Sequence, residues 1–359
     1  MRCLLYKEHE YTLRKRGSFL RTKQLYPIVV LLATAILLTA CSSTSTTVAQ
    51  TKKTNSAQVA HSLTAEGKKL FPNGITLVVN LPPGGVSYTD GAEIQPYLQK
   101  VLGVPVTVRP IVGGSGNTAA EYVYHAAPNS GILMMSLLPQ LAIGQLLGGG
   151  KYNTLSYTPL GGIFGNDTSL YVAKYGSPYR NFASLQHAQG TLTVGEFGVK
   201  SSAGWMSTVF LKKINHINIK GVPFGNAAQS MDAVLSGAVD LASVTAAQAL
   251  KLMQAKRVQP VVDFAPKPLS YLPNVNSIGQ VGNPDEAFTL SMGVVGPPGM
   301  SPHVSKILSQ ALLRVSENPE FQSKARKMLT MPVYLSATAW GALTHQEYDM
   351  VHSKLSMLQ

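Results

Sequence analysis

Cysteine is almost missing from this chain, whose 359 residues hold Cys3 and Cys41 alone. Two cysteines cannot build a disulfide framework, and without a CxxC pair or a Cys/His cluster the sequence offers no metal centre. The eight histidines, His125, His187 and His216 among them, are scattered with no HExxH or other ligand spacing, so neither metal nor cofactor is expected. Charge is scarce as well, at 13% of residues, and no run of Lys/Arg interleaved with aromatics follows the first forty positions. Nucleic acid is therefore a poor partner. Catalytic patterns are equally thin. No serine sits in a GxSxG elbow. The stretch Gly195-Glu196-Phe197-Gly198-Val199-Lys200-Ser201 approaches a phosphate loop, yet Val199 stands where that loop needs glycine, and Gly84-Gly85 does not supply GxGxxG. Asp232 and Asp240 fall on an expected helix and an expected strand and make no acid–base pair. The chain reads as a binder and not an enzyme.

What charge there is lies unevenly. The formal net charge is +13, and residues 1–40 hold seven of the 30 Lys/Arg against Glu8 and Glu10. Arg14-Lys15-Arg16, Arg21 and Lys23 precede an apolar run from Ile28 to Leu38, which is too short for a membrane span of about 20 residues. It ends in Leu38-Thr39-Ala40-Cys41. A basic region, a short apolar core and small residues before a cut site form a signal peptide, and Leu-Thr-Ala-Cys matches a bacterial lipobox. Residues 1–40 are thus expected to be removed, with Cys41 acylated and two or more acyl chains holding the protein to a membrane. The polar residues 42–66 read as a tether, so 41–69 form anchor and tether and the fold begins near Leu70.

The body is 45% hydrophobic across the chain as a whole, with 32 Gly and 22 Pro, a composition that suits a compact α/β protein. Ile75–Val79, Pro105–Val108 and Ile132–Met135 read as strands, separated by helices from about Asp90 to Leu102 and Thr118 to Ala127. The alternation resumes with strands Leu192–Val194, Gly221–Pro223, Val239–Ser243 and Val258–Val262 and helices at about Ala203–Ile214, Ala227–Ser236 and Ala246–Ala255. Alternation of this kind implies parallel sheets with right-handed crossovers. Extended connections at Leu160–Ala173 and Phe288–Val295, then helices Pro302–Asn318 and Glu320–Leu329, complete the plan. The expected fold is α/β and two-lobed, with 70–170 and 288–359 as lobe 1, 171–287 as lobe 2, and a double hinge between them.

Gly-rich loops fall where strands end and helices begin. Glycine lets backbone N–H groups approach a bound oxygen, and a helix N-terminus favours an anion. The candidate ligand contacts are Pro83, Gly84, Gly85, Val86, Ser87 and Tyr88 after the first strand, and Asn117 after the Gly113-Gly114-Ser115-Gly116 turn. Ser136 after the third strand, Gly198, Ser201 and Ser202 in lobe 2, and Asn226 complete the set. The partner implied is a small organic anion, bound in the crevice outside the strand ends.

From Leu70 to Trp340 the order and spacing of motifs resemble the Bug receptors, the substrate-binding proteins of tripartite tricarboxylate transporters. The residues that carry the resemblance are Asn80-Leu81-Pro82-Pro83-Gly84-Gly85-Val86-Ser87-Tyr88, Arg109-Pro110-Ile111-Val112-Gly113-Gly114-Ser115-Gly116-Asn117 and Ala127-Pro128-Asn129-Ser130. Gly198-Val199-Lys200-Ser201, Val222-Pro223-Phe224-Gly225-Asn226, the set Asp232, Gly237, Val239 and Asp240, and Pro297-Pro298 follow in the family's order. The resemblance implies a type II periplasmic-binding-protein (Venus-flytrap) fold that closes over a dicarboxylate, tricarboxylate, amino acid or aromatic acid. It also implies a monomeric receptor on the periplasmic side of a bacterial membrane, handing cargo to transporter membrane subunits. A lipoprotein that senses ligand or meets a surface partner without transport is the alternative. The sequence departs from the family where Tyr88 stands at an aspartate, unless Asp90 replaces it through a shifted loop, and where Ala92 stands at an arginine and Leu81 at a phenylalanine; loss of that aspartate predicts a different ligand end or weaker binding.

Overall fold

The computed structural model describes residues 61–197, 202–281, 284–328 and 331–359. The expected signal peptide, Cys41 and Gly198, Val199, Lys200 and Ser201 lie outside these residues.

The first half of the chain runs through a helix over residues 61–70 (α1), β1 (Ile75–Val79), α2 (Val86–Leu102), β2 (Val106–Pro110), α3 (Asn117–Tyr124), β3 (Ile132–Leu138), α4 (Gln140–Leu146) and β4 (Thr158–Asp167). It continues through β5 (Ser169–Lys174), α5 (Phe182–Gln186), β6 (Leu192–Phe197), α6 (Ala203–Lys213), β7 (Ile219–Phe224), α7 (Ala227–Ser236), β8 (Leu241–Thr245), α8 (Ala246–Gln254) and β9 (Val258–Asp263). The return comprises β10 (Leu290–Gly296), α9 (Pro302–Ser316), α10 (Pro319–Met328), β11 (Pro332–Leu335), α11 (Ala337–Ser353) and α12 (Leu355–Leu358).

Two sheets result. The first has the order β11-β4-β10-β3-β1-β2 and the second β7-β6-β8-β5-β9. Each is built on three parallel strands, β2-β1-β3 and β7-β6-β8, continued by an antiparallel strand, β10 in the first sheet and β5 in the second. Parallel strands covered on both faces read as unbroken apolar runs. In β1, Leu77 and Val79 enter the core under α2 and α9, while Val78 enters the opposite one with Ala119 and Val123 of α3. The second sheet repeats the pattern, Tyr171 and Ala173 facing Phe210 while Leu170 and Val172 face Val234. Burying each such Val or Leu stabilises the fold by roughly 1.5–3 kcal/mol.

The long extended connection expected from Leu160 to Ala173 is two strands in two sheets, β4 and β5, separated by the fully buried Thr168. Residues 264–289 carry the chain back from β9 to β10. Two further features lie beyond the sequence reading. Helix α1 precedes Leu70, the point where the fold is expected to begin, and its Leu63 is buried with Leu98 and Leu102. The stretch after Leu329, for which no element is expected, forms β11 and the 17-residue helix α11.

Helix α11 reaches the cores of both lobes. Near its start Trp340 is fully buried against the first sheet, where a Cβ on Gly293 would stand 2.4 Å from the indole and one on Gly162 2.9 Å. Only glycine at these two positions admits the ring. At its far end Val351, with Leu358 of α12, joins the core of Phe210 and Leu211 in the second lobe. Lys213 donates to the Met357 carbonyl and Lys354 lies 5.9 Å over the Phe210 ring. The two lobes are therefore joined by two strand crossings and a terminal helix.

Candidate functional site

Strand C-termini of both sheets and the helices that follow them open on a single cleft of about 550 Å³. Lobe 1 contributes Asn80 to Pro82, Gly84, Val86, Thr89 and Asp90 from the β1–α2 turn, Val112 to Gly116 from the β2–α3 turn, and Phe164 and Asp167 from β4. Lobe 2 contributes Ser202 to Gly204 at the start of α6, Gly225 before α7, and Ser243 to Thr245 with Gln248 around the start of α8. Leu137, Leu290, Met292, Met328 and Met331 make much of the remaining wall apolar.

The starts of the helices differ in how their free N–H groups are used. The first turn of any α-helix leaves N–H donors without intrahelical partners. Helix α2 begins at Gly85 and α3 at Gly116, and neither has a side-chain cap. Bare donors of this kind, with the positive end of the helix dipole, attract a carboxylate. Ser202 caps α6 through Trp205 N at 3.1 Å, Asn226 caps α7 through Gln229 N at 3.0 Å, and Thr245 caps α8 through Gln248 N at 3.3 Å. The α2 turn is held rigidly: Gly85 N donates to Pro82 O at 2.9 Å, and Ser87 Oγ donates to Asn80 Oδ1 at 2.7 Å.

Of the residues expected to meet a ligand, Gly84, Val86 and Ser202 line this cleft. Pro83, Gly85, Ser87, Tyr88, Asn117, Ser136 and Asn226 do not. Ser87 is fully buried and turned to Asn80, and Tyr88 packs against the lobe 1 core. Asn226 serves its own helix. Asn117 is committed on both sides of its amide, donating to Gly144 O at 3.2 Å and Gly148 O at 2.9 Å and accepting from Tyr152 OH at 3.1 Å. Asn117 and Ser136 instead line a small adjoining cavity of about 20 Å³ that shares Asn80, Ser115 and Gln140 with the cleft; the Ser136 hydroxyl there is buried without a hydrogen-bond partner.

Of the carboxyl groups of the site, the sequence offers Asp90 as a replacement for the family's aspartate and gives no sign of Asp167. Asp90 on α2 is 3% exposed, and its Oδ1 has no hydrogen-bond partner. Burial, reinforced by Glu93 and Asp167, holds its carboxyl well above the ordinary range. Asp167, the last residue of β4, is pushed up to about 6 by burial, against the pull of the backbone N–H groups of Thr168 and Ala246 and the hydroxyls of Thr245 and Tyr271. It thereby ties the first crossing to the start of α8. Burial of an acid is a tertiary outcome with no local motif, whereas the strand-to-helix junction at Thr245 carries the same signal as the glycine loops. Among the described residues no Lys, Arg or His lines the cleft, and no group of three His, Cys, Asp or Glu is placed to hold a metal ion.

No curated protein sequence matches the chain. Solved structures do resemble it. MatC from Rhodopseudomonas palustris with bound malate superposes with a TM-score of 0.68 at 20% identity, covering 80% of this chain and 99% of that one. Periplasmic binding protein BugD gives 0.69 at 16% identity, covering 79% and 97%. An R. palustris protein with adipate gives 0.69 at 20% identity, with the same coverage. These likenesses establish the two-lobed binding-protein fold. The model of the tripartite tricarboxylate transporter family receptor matches residues 92–350, and the chain belongs to that family.

Proposed function

We propose that the protein is a lipid-anchored receptor outside the cytoplasmic membrane, which captures a small carboxylate and passes it to the membrane subunits of a tripartite transporter. The observation that carries this reading is the uncapped start of α2 on the wall of a cleft shared by two hinged lobes. A carboxylate there completes the helix start while touching lobe 2 at Ser202 or Thr245. A ligand that contacts both lobes favours their closure. Support comes from family membership and from the malate and adipate held by two proteins of the same fold. For attachment, the support is Leu-Thr-Ala-Cys at 38–41, and among the described residues no helix is long and apolar enough to cross a membrane.

Thermal unfolding of the detergent-solubilised chain against a panel of organic acids tests the binding half. A true ligand at 100 times its Kd adds about 2.7 kcal/mol, and silence across the panel sinks the reading. The anchor is tested separately: Cys41→Ser should abolish incorporation of labelled palmitate and release the chain from membranes.

A further inference from the structure

The end of lobe 2 that faces away from the cleft carries a charge pattern for which ligand capture has no use. Lys220 is the second residue of β7, Lys174 the last of β5, and Arg257 immediately precedes β9. In register Lys174 lies opposite Val258 and Lys220 opposite Thr193, so the three cations stand along one edge of the sheet. From β7 to β9 that edge crosses the whole second sheet, about 19 Å at the usual strand spacing. Lys212 and Lys213 in the last turn of α6 and Lys251 in the last turn of α8 flank it. All six are exposed, none lines the cleft, and neither ion pair among the described residues includes one.

Lysines at helix ends offset the helix dipole, which accounts for Lys212, Lys213 and Lys251. It leaves Lys174, Lys220 and Arg257 without a role. Asp240, the acid within the row, is already engaged, accepting from the Thr193 N–H and hydroxyl at 2.8 Å each. Of the other exposed acids of lobe 2, Asp232 lies midway along α7 and Asp285 beside Glu286 on the connection to β10. Next to Lys174 stands Tyr175, 52% exposed, the one large hydrophobic side chain of lobe 2 left in solvent among the described residues. Its N–H donates to Arg257 O at 3.0 Å, which holds the two charged loops together.

We propose that this end of lobe 2 is a docking surface for anionic lipid headgroups, which orients the receptor on the membrane that holds its Cys41 anchor. A single small anion needs cations converging on one point, whereas these are spread in a row about 19 Å long, an arrangement that matches a surface of repeated phosphates. Each Lys or Arg within a screening length of an anionic bilayer adds attraction. A tyrosine ring suits the headgroup level, with one end apolar and the other wet. The stretch from Cys41 to His61 spans at most about 70 Å, against roughly 50 Å across for a domain of this length, so the anchor's reach includes the far lobe. With this end on the headgroups the cleft stands a strand's length away, about 20 Å for β6 (Leu192–Phe197), and stays clear of lipid.

The inference is independent of the ligand and rests on the anchor reading alone, and the two fail differently. The full chain is reconstituted through its own anchor into vesicles of phosphatidylcholine, and into vesicles of three parts phosphatidylcholine to one part phosphatidylglycerol. Exposed lysines are acetylated and their rates read by mass spectrometry. Lys174, Lys220 and Lys251 should react at least threefold more slowly on the anionic vesicles, Lys69 and Lys324 of lobe 1 should not, and the difference should vanish in about 1 M salt, where the screening length is about 3 Å. The triple variant Lys174→Gln, Lys220→Gln, Arg257→Gln, all at exposed positions, should remove the protection of Lys251. Equal rates on the two vesicles overturn the inference, as do protection shared by the lobe 1 lysines and protection of Lys251 that survives the triple variant. Should the chain fail to stay with phosphatidylcholine vesicles, the anchor reading falls, and flotation with the anionic vesicles decides the docking surface. Flotation of the native chain and not of the triple variant upholds it; the same behaviour from both overturns it.

Discussion

The lobes face each other with the same architecture and opposite chemistry. In lobe 2 every cleft-facing helix closes its own N-terminus, through Ser202, Asn226 and Thr245. In lobe 1 the equivalent helices α2 and α3 begin at Gly85 and Gly116 and leave theirs open. A hydroxyl or amide cap is worth about 1 kcal/mol over alanine but only a few tenths over glycine, so lobe 1 leaves its helix starts open at little cost in stability. The open helix starts are donors held ready for an anion, and the closed ones present hydroxyls already oriented by their backbone bonds. One jaw therefore supplies the positive field and the other supplies a fixed surface to close against.

The lobes also differ in what covers them, and the sharpest test of that difference uses the chain's two tryptophans. Trp340 on α11 is fully buried on the glycines of the first sheet, whereas Trp205 on α6 is only partly buried at the second. Trp340→Ala should cost about 3–5 kcal/mol in chemical denaturation, and Trp205→Ala markedly less. Equal costs would mean that α11 is no more a part of lobe 1 than α6 is of the cleft rim.

A second effect belongs to neither lobe. Between its lobe 1 anchor Trp340 and its lobe 2 anchor Val351, helix α11 buries Glu347, whose carboxyl burial pushes up to about 7 from the ordinary 4.5. Between those two values the folded chain keeps a proton that the unfolded chain has released, so stability falls as pH rises through the window and levels off above it. The contribution is on the order of 1–3 kcal/mol. Glu347→Gln should flatten the fall of unfolding free energy between pH 5 and pH 8, any offset at pH 4.5 reporting only the fit of the amide. An unchanged slope would assign the pH dependence to the other buried carboxyls: Asp263 and Glu286, which burial raises to about 7, Asp167, raised to about 6, and Asp90.

Capping itself is tested next. Ser202→Ala and Asn226→Ala should each lose about 1 kcal/mol of stability. Asn226 lies off the cleft wall, so its replacement should leave ligand affinity within threefold, while Ser202→Ala should weaken both. If Asn226→Ala weakened binding tenfold, lobe 2 would be meeting the ligand through α7 as well.

These contrasts were unequally visible in the amino-acid order. The apolar runs of β1, β6 and β8 and the starts of α7 and α8 could be read directly, because a parallel strand buried on both faces is continuous in sequence and Asn226 or a strand-end threonine announces a helix. The break at Thr168 could not, since one extended stretch looks the same whether it serves one sheet or two. Helix α11 was missed because it shows no clean apolar face: Trp340 meets one lobe and Val351 the other. Glycine marked the loops correctly, but the neighbouring polar residues divide by direction. Ser87 and Asn117 turn inward to brace the turns, and Asp90, two residues past Tyr88 and inside a helix, stands on the cleft wall.

The smallest expected effect concerns how lobe 1 keeps its helix start open. Ser115 adopts φ 60° and ψ 27° between Gly114 and Gly116 on the cleft wall, a left-handed conformation that costs a residue with a side chain about 1–2 kcal/mol. Glycine would relieve that strain but enlarge the freedom lost on folding, an offset of about 0.4–1 kcal/mol. Ser115→Gly should therefore gain roughly 0.5 kcal/mol in denaturant unfolding, with α3 still uncapped. A loss instead would show that the serine hydroxyl holds the turn in shape, and the open start of α3 would then be a feature maintained by its own loop. A gain in stability accompanied by weaker ligand binding would identify the strain as serving the site.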